Sequence, residues 1–116
     1  MSKRDTRLLL EDIRQALRKI SAYISGMDQP AFCVDEKTID AVIRNISIIG
    51  EASKQLPDEF KARHPHLPWA QMAGMRNRIV HDYAGVDLEI IWEVISHSLP
   101  QLNHQLNQID HGPNPS

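Results

Sequence analysis

The chain has 116 residues, enough for one domain with a real core and too few for two. Its 13 Lys and Arg against 15 Asp and Glu give a formal net charge of −2, which excludes a global basic field of the kind that attracts nucleic acid. Cys33 is the single cysteine, so an intrachain disulfide is excluded and a reducing, cytosolic setting is expected.

The N-terminus is polar and charged, and Leu8-Leu9-Leu10 is far too short for a signal-peptide core or a membrane span. A first helix is expected from Arg4 to Ile24, because Leu9, Leu10, Ile13, Ala16, Leu17, Ile20 and Ile24 recur at helical spacing. Gly26 ends it, and a loop with Pro30 and Cys33 leads to Val34. Cys33 reads as a small apolar residue.

Asp35 is placed to cap a second helix, with Glu36 in the first turn. Ile39, Val42, Ile43, Ile46, Ile49 and Ser53 form one stripe, and Gly50 lies within it. Glycine there lowers helix propensity by roughly 1 kcal/mol relative to alanine, so close approach of another helix is its expected use. Ile48 lies on the opposite side, consistent with a helix that buries two faces, one of them against another subunit. Glu51 is off the main stripe. It reads either as a solvated glutamate or as a partner for an arginine further on.

A short third helix is expected from Pro57 to Arg63. His64-Pro65-His66 follows. Two such histidines could bind zinc, but no second ligand pair stands at a recognisable spacing, and no metal or other cofactor is expected. Pro68 and Trp69 open a fourth helix running to Asp82. Gly85 breaks the chain, and Asp87 caps a last helix to Ile109 with the stripe Leu88, Ile91, Trp92, Ile95, Leu99, Leu102 and Leu106. Pro100 removes one backbone hydrogen bond and should kink or divide that helix. His97 and His104 read as polar-edge residues. Strand signals are absent. The expected fold is an all-α bundle of four long helices and one short one over residues 1–111, with 112–116 as a disordered tail.

The chemistry concentrates in Gly74–Tyr83, which places Arg76, then His81, then Tyr83. Histidine suits proton transfer near neutral pH, and the planar, permanently charged arginine fork matches phosphate oxygens. RNA supplies its own nucleophile, the 2′-hydroxyl, so these groups suffice for metal-free cleavage to a 2′,3′-cyclic phosphate and a 5′-hydroxyl. On an ideal helix Met72, Ile79, Val80 and Tyr83 lie within roughly 60° of Arg76, which puts an arginine in an apolar stripe. His81 lies about 140° away, beside Asn77 on a neighbouring face. Three arrangements could bring the pair together: a long reach by Arg76, a helix end near His81, or a site completed by a second chain. The bland alternatives are a buried Arg76–Glu51 ion pair, a His81 that caps the helix C-terminus, and a core Tyr83.

Ile48-Ile49-Gly50-Glu51-Ala52, Leu56-Pro57-Asp58-Glu59-Phe60, Pro68-Trp69, Gly74-Met75-Arg76-Asn77 with His81 and Tyr83, and Gly85-Val86-Asp87 together resemble the HepT-like branch of the HEPN superfamily. The resemblance implies an all-helical homodimer with a ribonuclease site at the dimer cleft, Arg76 and His81 as catalytic pair, and Asn77 in support. It also implies a toxin of a two-gene toxin–antitoxin system whose partner, an MntA-like nucleotidyltransferase, silences it by transferring AMP to the motif tyrosine, here Tyr83. Ala84 departs from the family pattern, in which an aromatic residue is common. The alternative function is a non-catalytic HEPN dimer that binds nucleotide or RNA, or that partners the nucleotidyltransferase.

Overall fold

The computed structural model describes residues 5–81 and 87–110, and among them every regular element is helical. The order is α1 (Thr6–Tyr23), α2 (Gln29–Cys33), α3 (Glu36–Gln55), α4 (Asp58–Arg63), α5 (Trp69–His81), α6 (Leu88–Glu93), a π-helical turn (Val94–Ser98) and α7 (Leu99–Asp110). The last three run on without a break as one C-terminal arm. The architecture is the expected all-α bundle of four long segments, with two short helices where one was expected. The tail at 112–116 lies outside the described residues.

Aspartate starts four of these helices. The carboxylates of Asp5, Asp28, Asp35 and Asp87 accept from the backbone N–H groups of Arg7, Ala31, Thr38 and Glu89 at 2.8, 3.0, 3.1 and 3.0 Å. Each bond satisfies a donor that has no partner within the helix. Gly26 has φ of +79°, a left-handed conformation that turns the chain after α1 and that glycine adopts without steric cost.

The core is one cluster centred on α3, which packs against α1, α5 and α2. Val42, Ile46 and Ile49 are fully buried, and Gly50 is buried between them and Ser53. Two polar residues share this face. Asn45 Nδ2 donates to the Ala41 carbonyl at 2.8 Å, and Ser53 Oγ to the Ile49 carbonyl at 2.7 Å. Each therefore makes a hydrogen bond within its own helix. Ile39, Ile43 and Ile48 are only half-buried. Ile48 lines a groove with Leu9 and Asp12 of α1.

The segment expected to be a loop contains α2. Pro30 stands in the first turn, where its missing N–H costs nothing, and Asp28 caps it. The helix drives Phe32 into the core, fully buried, with its ring 5.4 Å from that of Trp92. Thus α2 joins α3 to α6. Pro57 is the N-cap of α4 and makes no side-chain capping bond.

Pro100 was expected to kink or divide the last helix; the helix instead runs on, with a π-helical turn just before the proline. The Leu99 N–H donates to the carbonyl of Val94, five residues back. Widening the helix there relieves the clash of the proline ring with the preceding turn. Ser96 Oγ donates to the Trp92 carbonyl and covers a backbone acceptor in the same stretch. The arm returns along α1, with Leu99, Leu102 and Leu106 buried.

Phe32→Ala should destabilise the protein by about 3–5 kcal/mol, the cost of emptying a fully buried aromatic site. Urea unfolding at fixed protein concentration measures it. A loss below 1 kcal/mol, roughly the scale of a surface substitution, would mean that α2 is not part of the core.

Candidate active site

Helix α5 carries the motif, and its start is built by aromatic and histidine side chains. Trp69 is buried, and its Nε1–H donates to the His64 carbonyl at 2.9 Å. Phe60 of α4 lies with its ring centroid 5.9 Å from Trp69 and 4.8 Å from His64. The Pro68 carbonyl accepts from the Met72 N–H at 2.9 Å, which sets the first helical turn. Buried Leu67 and Met72 then fix α5 against the bundle, with α3 as its neighbour.

From this anchor the helix continues through Arg76, Asn77, Ile79, Val80 and His81. Arg76 and His81 therefore stand on one helical backbone, as the spacing predicts. Arg76 is one helical turn beyond Met72, so the two positions share a face. The orientations of the side chains at 76–81 lie outside what the structure describes. Tyr83, Ala84 and Gly85 also lie outside the described residues.

Glu51 is described. It is exposed on α3 and lines a groove at the α1 edge with Asp12, Arg44 and Ser47. Cys33 is a free, half-buried thiol at the end of α2. His64 and His66 have ring centroids 6.1 Å apart in an edge-on arrangement. No third histidine, cysteine or acidic residue joins them in a metal-binding group among the described residues. His97 lies beside Glu93 at 3.3 Å on the exposed side of the arm, and His104 is exposed beside Gln108. No helix among the described residues is long and apolar enough to cross a membrane.

Sequence reasoning missed a groove beside the site helix. It runs between α5 and the C-terminal arm, has a volume of 380 Å³, and is lined in part by Met72, Met75, Ile90, Val94 and Leu102. The available signal was Ile90, an isoleucine off the buried stripe of the last helix.

Burial, and then the positive charges of His66 and Arg63, hold the His64 pKa below its ordinary 6.5. The folded protein thus favours neutral His64. As pH falls, the unfolded chain takes up this proton first. The contribution to stability is present above 6.5 and is lost as pH falls through the lowered folded value. His64→Gln should therefore reduce the drop in Tm between about pH 7.5 and about pH 5.5. An unchanged drop would contradict the role given to His64.

The chain matches the sequence model of the family described as "Ribonuclease HepT-like" over residues 13–109, a span that includes Arg76, Asn77, His81 and Tyr83. It is similar to "Probable ribonuclease HepT" of Thermococcus cleftensis, with 39% identity over 107 residues that cover 92% of this chain and 97% of the relative. Two relatives named "Putative RNase" are 37% and 39% identical. The first, from Methanocaldococcus jannaschii, matches over 94% of this chain and 90% of its own length. The second, from Caldanaerobacter subterraneus subsp. tengcongensis, matches over 86% of this chain and 89% of its own. No solved structure matches the chain significantly.

Proposed function

The chain belongs to the HepT-like ribonuclease family, and from that membership we propose that it is the toxin endoribonuclease of a toxin–antitoxin system of type VII character. The observation that carries the reading is the family match through the one helix that bears Arg76 and His81.

Two copies of the chain form the working unit, with the site at the cleft between them. The second copy resolves the geometric problem of the motif, since Arg76 and His81 point about 140° apart on one ideal helix. In the reaction the 2′-oxygen of RNA attacks the adjacent phosphorus and the bond to the 5′-oxygen breaks. His81 moves the protons, between the 2′-hydroxyl that loses one and the 5′-oxygen that gains one. Arg76 holds the phosphate oxygens and meets the charge that builds on them. Asn77 supports the pair, and Glu51 on α3 is the acidic candidate for orienting Arg76. No step requires a metal ion.

Tyr83 is the control point. A nucleotidyltransferase partner transfers AMP to it: the phenolic oxygen attacks the α-phosphorus of ATP, and pyrophosphate leaves. The added phosphate brings negative charge and bulk two residues from His81, where it competes with RNA for Arg76.

Arg76→Ala and His81→Ala should each lower cleavage of cellular RNA in EDTA by about 10²–10⁴-fold, with folding and association state unchanged. Parental rates in either variant would refute that residue's catalytic role. Inactivity of the parent, with Tyr83 shown free of AMP by mass spectrometry, would favour a non-catalytic HEPN binding module. Tyr83→Phe should fold normally and accept no AMP from the partner enzyme. Peptide mass spectrometry that finds the AMP on another residue would contradict the assignment.

A further inference from the structure

A cleft of 350 Å³ opens between the end of α1 and the C-terminal arm. Leu17, Ile20 and Ile24 of α1 form one wall, and Trp92, Ile95 and Leu99 of the arm form the other. Among the described lining residues it shares only Leu99 with the groove beside α5, and none of them belongs to α5. The cleft therefore lies on a different flank of the arm from the helix that carries Arg76 and His81.

The π-helical turn runs along this cleft and alters the hydrogen bonding of the arm there. In an α-helix the carbonyls of Ile95 and Ser96 would accept from the N–H groups of residues 99 and 100. The Leu99 N–H goes instead to Val94, and Pro100 has no N–H to give. Both carbonyls thus lack their α-helical donor. Each is directed along the arm toward Leu99 and Pro100, which line the cleft. Turns of this π-helical kind recur at functional sites.

The rest of the lining restricts what can enter. Among the described residues of the cleft none is charged, so a buried phosphate, carboxylate or ammonium would meet no counter-ion. The walls call for an apolar body. Trp92 is half-buried, with its ring 5.4 Å from that of Phe32, and this fixes an aromatic surface against which a second ring can pack. The Ser96 carbonyl calls for a donor on that ring. The half-buried Asn103 adds an amide to the same lining.

We propose that this cleft binds a small, uncharged aromatic molecule with an N–H donor, its ring against Trp92 and its N–H on the Ser96 carbonyl. The proposal does not rest on the ribonuclease reading, because no residue of the Arg76–His81 motif enters it.

The test uses the full chain and three probes. Indole carries the N–H, indene has the same bicyclic shape with CH₂ in its place, and indole-3-acetate adds a negative charge. Binding is followed by methyl NMR. Indole should shift the Ile20, Ile24, Met27 and Ile95 methyls and leave that of Met75 in place. Indene should bind about tenfold more weakly, because it leaves the carbonyl without a donor. Indole-3-acetate should bind at least about tenfold more weakly than indole. Pro100→Ala supplies the missing N–H to the Ser96 carbonyl and should remove the preference for indole over indene. Ile24→Trp, which fills the cleft, should abolish indole binding. The comparison of indole with indene uses the parent chain alone, so it decides the matter even where a variant fails to fold. The proposal is overturned if indole shifts no methyl of the cleft, or if indene or indole-3-acetate binds the parent as tightly as indole. It is also overturned if folded Pro100→Ala keeps the parental preference, or if folded Ile24→Trp binds indole as the parent does.

Discussion

The packing of α3 between α1 and α5 is the constraint on which the rest depends. A helix of 13 residues such as α5 is marginal in isolation, because nucleation costs more than a few turns return. It also carries Gly74, where an added Cβ would meet no atom within 4 Å, so that glycine contributes no close packing to offset its lower propensity. The helix persists because its first turns are held from outside, by Trp69 on the His64 carbonyl, by Met72 in the core and by α3 alongside. Burying Val42, Ile46 and Ile49 stabilises the fold by about 1.5–3 kcal/mol for each side chain. The polar groups of Asn45 and Ser53 each make a hydrogen bond within α3.

The same logic explains the C-terminal arm. A continuous α-helix from Leu88 to Asp110 would have to accommodate Pro100, and the π-helical turn at Val94–Ser98 absorbs it. The arm can then follow α1 with Leu99, Leu102 and Leu106, while α2 holds its beginning through Phe32 and Trp92. A groove of 380 Å³ lies between this arm and the first turns of α5. The fold thus holds the start of the motif helix firmly against α3.

Much of this was legible in the residues. Apolar spacing marked the long helices, and Asp35 and Asp87 marked the starts of α3 and α6, because a carboxylate can satisfy N–H groups that a helix leaves open. Helix α2 was not legible by periodicity, since five residues with one buried phenylalanine display no period; the capping Asp28 ahead of Pro30 was the overlooked signal. Pro100 announced an irregularity but not its form, which depends on a hydrogen bond five residues back and on the Ser96 hydroxyl. The placement of Arg76 and His81 on one helix followed from sequence, and the backbone of α5 agrees. The groove beside α5 was illegible because it depends on how α5 and the arm that follows it are set against each other, which no local pattern records.

The central claim is that RNA is cut by its own 2′-hydroxyl, with protons moved by His81 and charge held by Arg76. End-group analysis of the RNA fragments made in EDTA tests it most directly. The account predicts 2′,3′-cyclic phosphate and 5′-hydroxyl ends. Fragments with 5′-phosphate and 3′-hydroxyl ends would show that water, not the 2′-oxygen, attacks, and would contradict it.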